Sequence, residues 1–270
     1  MAGLHTVAQG WPAGVGLLRH DEIDSTSAEA FRLLALGLDG PFWVTATRQT
    51  AGRGRSGRQW TSEPGNLYAS HLFSPDAPSA LLHHLAFVAG IAAHDTVAAG
   101  LAEAGIAADL RLKWPNDLLA DGAKIGGILT EASTQGGRTV VVIGIGLNVT
   151  HAPAIAGRAT TCLAALGAGG CVGTLLPALA AALDRWLTIW QEGRGFAAIR
   201  AAWIAHGPAL GQPLTVSDGP GRANSPAPGL RQGRYAGLDS DGALLLTDEA
   251  GAFSRVTYGD VTLGWPAGAR

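Results

Sequence analysis

The sequence predicts an α+β fold: a mixed domain over residues 1–207 followed by a small all-β module over residues 208–270. Three observations predict it. Segments with helical apolar spacing alternate with short strand-like runs through the first two hundred residues. Asp121-Gly122 stands between two such runs as a hairpin-turn signal. After His206-Gly207-Pro208 only short strands recur, with a second turn signal at Asp241-Gly242.

Residues 24–37 read as a helix. Thr26 and Glu29 make a capping box, Ala30, Leu33, Leu34 and Leu38 follow helical spacing, and Gly37 lies near the end. Residues 42–48 alternate like a strand, 51–58 form a Gly/Arg loop, and 66–73 give another strand. Ser79 opens a long apolar helix that Gly105 closes; His83, His84, His94, Asp95 and Glu103 interrupt it, so it reads as a buried helix and not a membrane span. Residues 109–114 are a strand ended by Pro115, and 117–120 pairs with 124–131 across the Asp121-Gly122 turn. The strongly apolar run 139–149 belongs at the centre of a sheet. Helices are expected at 172–191 and 196–206, then strands at 213–217, 233–238, 243–247 and 253–258. The Pro/Gly/Ser-rich insert 218–231 reads as a mobile loop.

With 47% hydrophobic and 15% charged residues, the chain has material for a large core, and disorder is excluded. A net charge of −2 gives no basis for nucleic-acid or anionic-membrane binding. The two cysteines, Cys162 and Cys171, have no zinc-like spacing with histidine and suit a reducing cytoplasm; no metal site is expected. The first 14 residues show no signal peptide. Of 19 basic residues only two are lysines, Lys113 and Lys124, both in one short segment. In so arginine-biased a chain, that placement points to positions where a compact ammonium is required.

Four segments carry chemistry. Gln49-Thr-Ala-Gly52-Arg53-Gly54-Arg55-Ser56-Gly57-Arg58-Gln59-Trp60 alternates glycine with arginine directly after a strand. Glycine lets a backbone approach a ligand, and arginine suits phosphate. On its own, the loop reads as a solvated linker, an RNA-binding patch or a site for a small anion. Lys113-Trp114-Pro115-Asn116-Asp117 and Lys124-Ile125-Gly126-Gly127 lie on segments the hairpin brings together, so both lysines can neighbour one pocket. Such an ammonium would neutralise charge building up between a carboxylate and a phosphate; a structured Asx turn is the plainer reading of the first segment. Gly144 and Gly146, beside Asn148, mark either tight sheet packing or close approach of a ligand. Asp24-Ser25-Thr26-Ser27 caps a helix whose N-terminus also offers N–H and hydroxyl groups.

In the order DSTS, RQTAGRGRSGRQW, LKWPNDLL, AKIGGIL and GIGLNV, the chain resembles the biotin–protein ligases. The motifs cover about residues 20–150, and the module near 211–264 is similar to the family's C-terminal domain. The resemblance implies a catalytic domain related to class II aminoacyl-tRNA synthetases and lipoate ligases, plus a small SH3-like β-barrel. It implies formation of biotinyl-5′-AMP from biotin and ATP, with Mg²⁺, then transfer to a lysine of a biotin carboxyl carrier protein or the acceptor domain of a biotin-dependent carboxylase. Lys124, Arg55 and Asp117 would be catalytic. Ser25, Thr26 and Gln49 would hydrogen-bond the ureido ring, and Gly52 and Arg53 would meet the carboxylate through their backbone. The 52–60 loop would close over the adenylate, with Arg55 and Arg58 facing phosphate and Trp60 near adenine. Lys113 would share the pocket with Lys124. Gly127 would line the biotin pocket, and Gly144 and Gly146 would leave room for the ligand. Asn116, Asp117 and Asn148 would serve the nucleotide, metal or second step. Many bacterial members carry an N-terminal DNA-binding module before DST; with that motif beginning at Asp24, an enzyme that binds no DNA is expected. The resemblance also allows a homodimer. A lipoate/octanoate–protein ligase is the alternative within this superfamily, and a nucleic-acid-binding module the alternative outside it.

Overall fold

A computed structural model describes residues 10–135, 137–169, 172–217 and 229–264. Its larger sheet has seven strands: β1 (Gly16–Ile23), β2 (Phe42–Gln49), β3 (Leu67–Phe73), β4 (Leu110–Lys113), β5 (Asp117–Ala120), β6 (Ala123–Gln135) and β7 (Arg138–Leu147), ordered β1-β2-β3-β7-β6-β5-β4. The apolar run expected at the centre is β7, the fourth strand across. Only β1 and β2 pair in parallel, joined by the crossover helix α1 (Thr26–Ala35). The β5–β6 hairpin turns at Asp121 and Gly122, both at positive φ, as a tight two-residue turn requires.

Side-chain parity sets the two faces of this sheet. Phe42, Val44, Leu72, Val140 and Val142 pack under α1 with Ala30. Trp43, Ala69, Val141, Ile143 and Ile145 belong to the main core on the other face, with α2 (His84–Glu103) and α3 (Val172–Trp190). Covered on both faces, β2 is buried from Phe42 to Ala46 and lacks the expected alternation. The helix ends also differ from expectation. Ser25, not Thr26, is the N-cap of α1: its backbone is extended and its hydroxyl accepts from the Ala28 N–H. Glu29 pairs with Arg32 instead of closing a capping box. Ser79 starts a short 3₁₀ turn, and α2 begins only at His84. Among the described residues two helical stretches, Ser79–Glu103 and Val172–Gly193, are long and apolar enough to cross a membrane, but 67% of the first one's apolar window lies inside the fold.

Past α4 (Phe196–His206), a second sheet forms from β8 (Pro213–Ser217), β9 (Leu230–Leu238), β10 (Leu244–Thr247), β11 (Phe253–Val256) and β12 (Asp260–Leu263). Its order is β11-β10-β9-β8-β12, all antiparallel, and β12 was not anticipated. β11 and β12 are the two edges and do not pair, so the expected closed barrel is not found among the described residues. Most of the 218–231 insert lies outside the described residues, as does Cys171. Leu214, Val216, Tyr235, Leu244 and Leu246 join the same core cluster as the larger domain. The turn before β10 makes the junction: Trp114 Nε1 donates to the Gly242 carbonyl (3.1 Å), and Gly242 rests against Phe87 and Phe196.

Candidate active site

The site follows from the parity of β7. On the face where Val140 and Val142 sit under α1, the next two positions are Gly144 and Gly146. Their missing side chains, with that of Gly127 paired to Gly146 on β6, open a floor beyond the end of α1. A cavity of about 440 Å³ stands on it. Of the expected residues, Ser25, Thr26, Gln49, Arg53, Arg55, Arg58, Trp60, Asn116, Asp117, Lys124, Gly127, Gly144, Gly146 and Asn148 line this cavity. Gly52 and Lys113 do not. A Cβ on Gly52 would lie 2.4 Å from the Trp60 carbonyl and 2.6 Å from Ser62 Oγ, so Gly52 lets the loop fold on itself. Lys113 stands behind Asp117, bonded to it at 2.9 Å.

One end of the cavity is neutral and polar. The Thr26 N–H and hydroxyl both donate to Gln49 Oε1 (2.8 and 3.1 Å), and the Gln49 amide donates to Ser62 Oγ (2.8 Å). Thr26 and Ser27 each share a hydrogen bond with the fully buried Ser70 (2.8 and 3.0 Å). Helix N-terminus, β2, β3 and the loop are thereby locked into one hydroxyl–amide cluster.

The other end is cationic. The Asp117 carboxylate is bonded to both lysines, Lys113 and Lys124. Burial raises its pKa, but the attraction and hydrogen bonds of the two ammonium groups outweigh that and hold it at about 2. Burial lowers Lys124, and Asp117 opposes the shift. Arg55 donates to Asn116 Oδ1 (3.2 Å) and forms no ion pair among the described residues; desolvation lowers its pKa. Asn116 in turn donates to the Ile128 carbonyl (2.6 Å), tying the loop to β6. Arg53 pairs with Glu131 (2.9 Å), and Arg58 with Asp260 of β12 (2.9 Å). Asn148 is buried and donates to the Thr161 carbonyl (3.0 Å), which holds the 159–161 segment beside Lys124.

Between the two ends lies Trp60. A Cβ on Gly146 would fall 2.6 Å from its ring and one on Gly127 2.9 Å; the Lys124 ammonium is 5.2 Å from the ring centroid. The space opened by Gly127 and Gly146 is therefore partly filled by Trp60, and that above Gly144 by Ser27, not left wholly to a ligand as expected. Ser27 lay in the Asp24–Ser27 signal without a role of its own; Ser70, Arg158 and Asp260 were not anticipated. Ser70 carried a signal, a polar residue at an inward position of a buried strand, whereas Arg158 and Asp260 are isolated charges in segments without a pattern.

Residues 21–148 match the sequence model of the Biotin/lipoate A/B protein ligase family. The chain is 40% identical over 235 residues to the biotin–[acetyl-CoA-carboxylase] ligase of Paracoccus denitrificans, covering 84% of this chain and 92% of that one. It is 32% identical over 263 residues to the bifunctional ligase/repressor BirA of Bacillus subtilis (strain 168), covering 93% and 75%. Among solved structures, the biotin protein ligase from Aquifex aeolicus in complex with biotin and ATP has a TM-score of 0.73 at 25% identity, covering 92% of this chain and 99% of that one. With the hydroxyl–amide pocket, the lysine–aspartate cluster and the arginine loop on one cavity, these likenesses establish that the chain belongs to the biotin–protein ligase family.

Proposed function

We propose that this chain is an ATP-dependent biotin–protein ligase in which one cavity holds both reacting partners. One observation carries the reading: a neutral hydrogen-bonding end and a cationic end face each other across an indole on one floor. Ser25, Thr26, Gln49 and the Ser27–Ser70 pair suit a ureido ring, which donates and accepts; a dithiolane ring has no N–H or carbonyl to offer this cluster. The cationic end suits the acid's carboxylate beside the nucleotide α-phosphate.

In the first step a carboxylate oxygen of biotin attacks the α-phosphorus, the bond to pyrophosphate breaks, and biotinyl-5′-AMP forms. Both reactants are anions, so the fixed ammonium of Lys124 and guanidinium of Arg55 lower the repulsion as they meet. Asp117, held near 2, is a weak base, and its role is to aim Lys124. In the second step the neutral amine of the acceptor lysine attacks the acyl carbon, AMP departs, and the amine proton passes to solvent. The Arg53–Trp60 segment excludes water from the anhydride. Mg²⁺ would enter on the ATP phosphates. Both carboxylates on the cavity wall, Asp117 and Asp260, already carry basic partners, so these residues do not fit a protein-held ion.

The acceptor is a carrier domain of the biotin carboxyl carrier kind, and the enzyme works in the cytoplasm, where the buried free thiol of Cys162 stays reduced. We divide the chain into a catalytic domain, 1–207, and a C-terminal domain, 208–270, whose five short antiparallel strands support an SH3-like assignment. A homodimer and the absence of DNA binding remain part of this reading. Biotin-dependent exchange of labelled pyrophosphate into ATP tests the first step: exchange with biotin and none with lipoate is expected, and the reverse preference overturns the assignment.

A further inference from the structure

Arg158 is the most loosely tied cation on the cavity wall. Its guanidinium reaches Asp117 Oδ2 and Asp260 Oδ2 only at 4.0 Å each, and it donates no side-chain hydrogen bond among the described residues. Asp260 comes from the opposite end of the chain. From β12 it accepts a 2.9 Å hydrogen bond from Arg58 and lies close enough to Arg55 to influence it. One carboxylate of the small sheet thus sits among three guanidiniums from two loops of the large domain, Arg55, Arg58 and Arg158. The excess of positive charge calls for an anion with several oxygens, and forked guanidinium donors match phosphate.

We propose that Arg158 binds a phosphate of the nucleotide and that Asp260 is a positioning residue that holds Arg158 and Arg58 ready for it. This rests on the ligase reading and adds two residues to it. A free arginine side chain loses rotamer freedom when it is fixed. A carboxylate that fixes it beforehand removes part of that loss from the binding step. Asp260 yields part of its contacts to the phosphate when the nucleotide arrives.

The test is biotin-dependent pyrophosphate exchange by the full chain, with biotin affinity measured separately by calorimetry without nucleotide. Arg158→Gln is expected to raise the KM for ATP about tenfold with biotin affinity within about twofold of wild type. Asp260→Asn is expected to lower kcat/KM for ATP about tenfold, and Asp260→Glu to recover most of it. If Asp260 acts through Arg158, Asp260→Asn costs about threefold or less once Arg158 is glutamine. An unchanged KM for ATP in Arg158→Gln, loss of biotin binding in either variant, or equal costs of Asp260→Asn in both backgrounds overturns the proposal. Absence of biotin-dependent exchange in the wild type overturns the ligase reading together with it.

Discussion

Two ammonium groups on one buried carboxylate make Lys124 a fixed charge and not a wandering one. Lys124→Gln removes the charge, with a side chain one atom shorter, and leaves Lys113 to balance Asp117. Its adenylation kcat is expected to fall about 10²–10³-fold, the usual loss when one preorganised group at a transition state is removed. Single-turnover formation of biotinyl-5′-AMP reads this; a drop below about threefold would assign the charge to Arg55 or Arg158 instead. The sign of Asp117's shift gives its pH behaviour. Its folded value, about 2, lies under the ordinary 3.8, so its contribution to stability is complete above about pH 4 and disappears as pH falls towards 2. At Gly146 the constraint is steric. Gly146→Ala places a methyl 2.6 Å from the Trp60 ring and forces the indole off the floor. Biotin affinity is expected to weaken about tenfold or more by calorimetry, whereas wild-type affinity would mean Trp60 has no fixed place in the pocket.

Within β3, His71 stacks between Trp43 and Phe73 (4.9 and 5.2 Å) and is fully buried, and desolvation lowers its pKa to about 4. The unfolded chain takes up this proton near 6.5 and the folded one only near 4, so stability falls as pH falls through that window. Between pH 7 and 5 the loss from this residue is about 2 kcal/mol. Chemical denaturation at both values checks it: His71→Leu should show a shallower pH dependence than wild type, and an identical slope would contradict the assignment. The 52–60 loop is the second element with a defined role. Arg55 reaches from it to Asn116, and Asn116 to β6, so the cover is latched to the sheet by two hydrogen bonds. Arg55→Gly is expected to release biotinyl-5′-AMP at least about tenfold faster, measured by trapping with hydroxylamine; unchanged release would show that this loop is not the cover.

Across the whole molecule, the arginine loop, the 150–161 segment and β12 meet on one cavity although Arg58 and Asp260 are separated by 202 positions. The sequence showed the parts of this arrangement that have a period. Alternation along TVVVIGIGLN puts Val140, Val142, Gly144 and Gly146 on one face, so the change from valine to glycine already marked where helix packing stops and a floor begins. The Asp121-Gly122 turn fixed the pairing that brings Lys124 to Asp117. Single residues without a period stayed hidden. Arg158 and Asp260 acquire meaning only from the packing of the small sheet, and the start of α2 was obscured because an apolar 3₁₀ turn and a helix share the same residue preferences. That packing depends on Gly242, where φ is +82° and a Cβ would lie 2.9 Å from Phe87. Gly242→Val combines a disfavoured backbone with an overpacked contact and is expected to cost about 3 kcal/mol in denaturant unfolding.

This cavity joins biotin to AMP and passes it to a protein amine. Mass spectrometry of a purified biotin carboxyl carrier domain, incubated with the chain, biotin, Mg²⁺ and ATP, tests that most directly. A gain of one biotinyl group on a single lysine, absent without ATP and strongly reduced with Lys124→Gln, is the predicted result. An unmodified carrier domain, or a modification that persists without ATP, would contradict it.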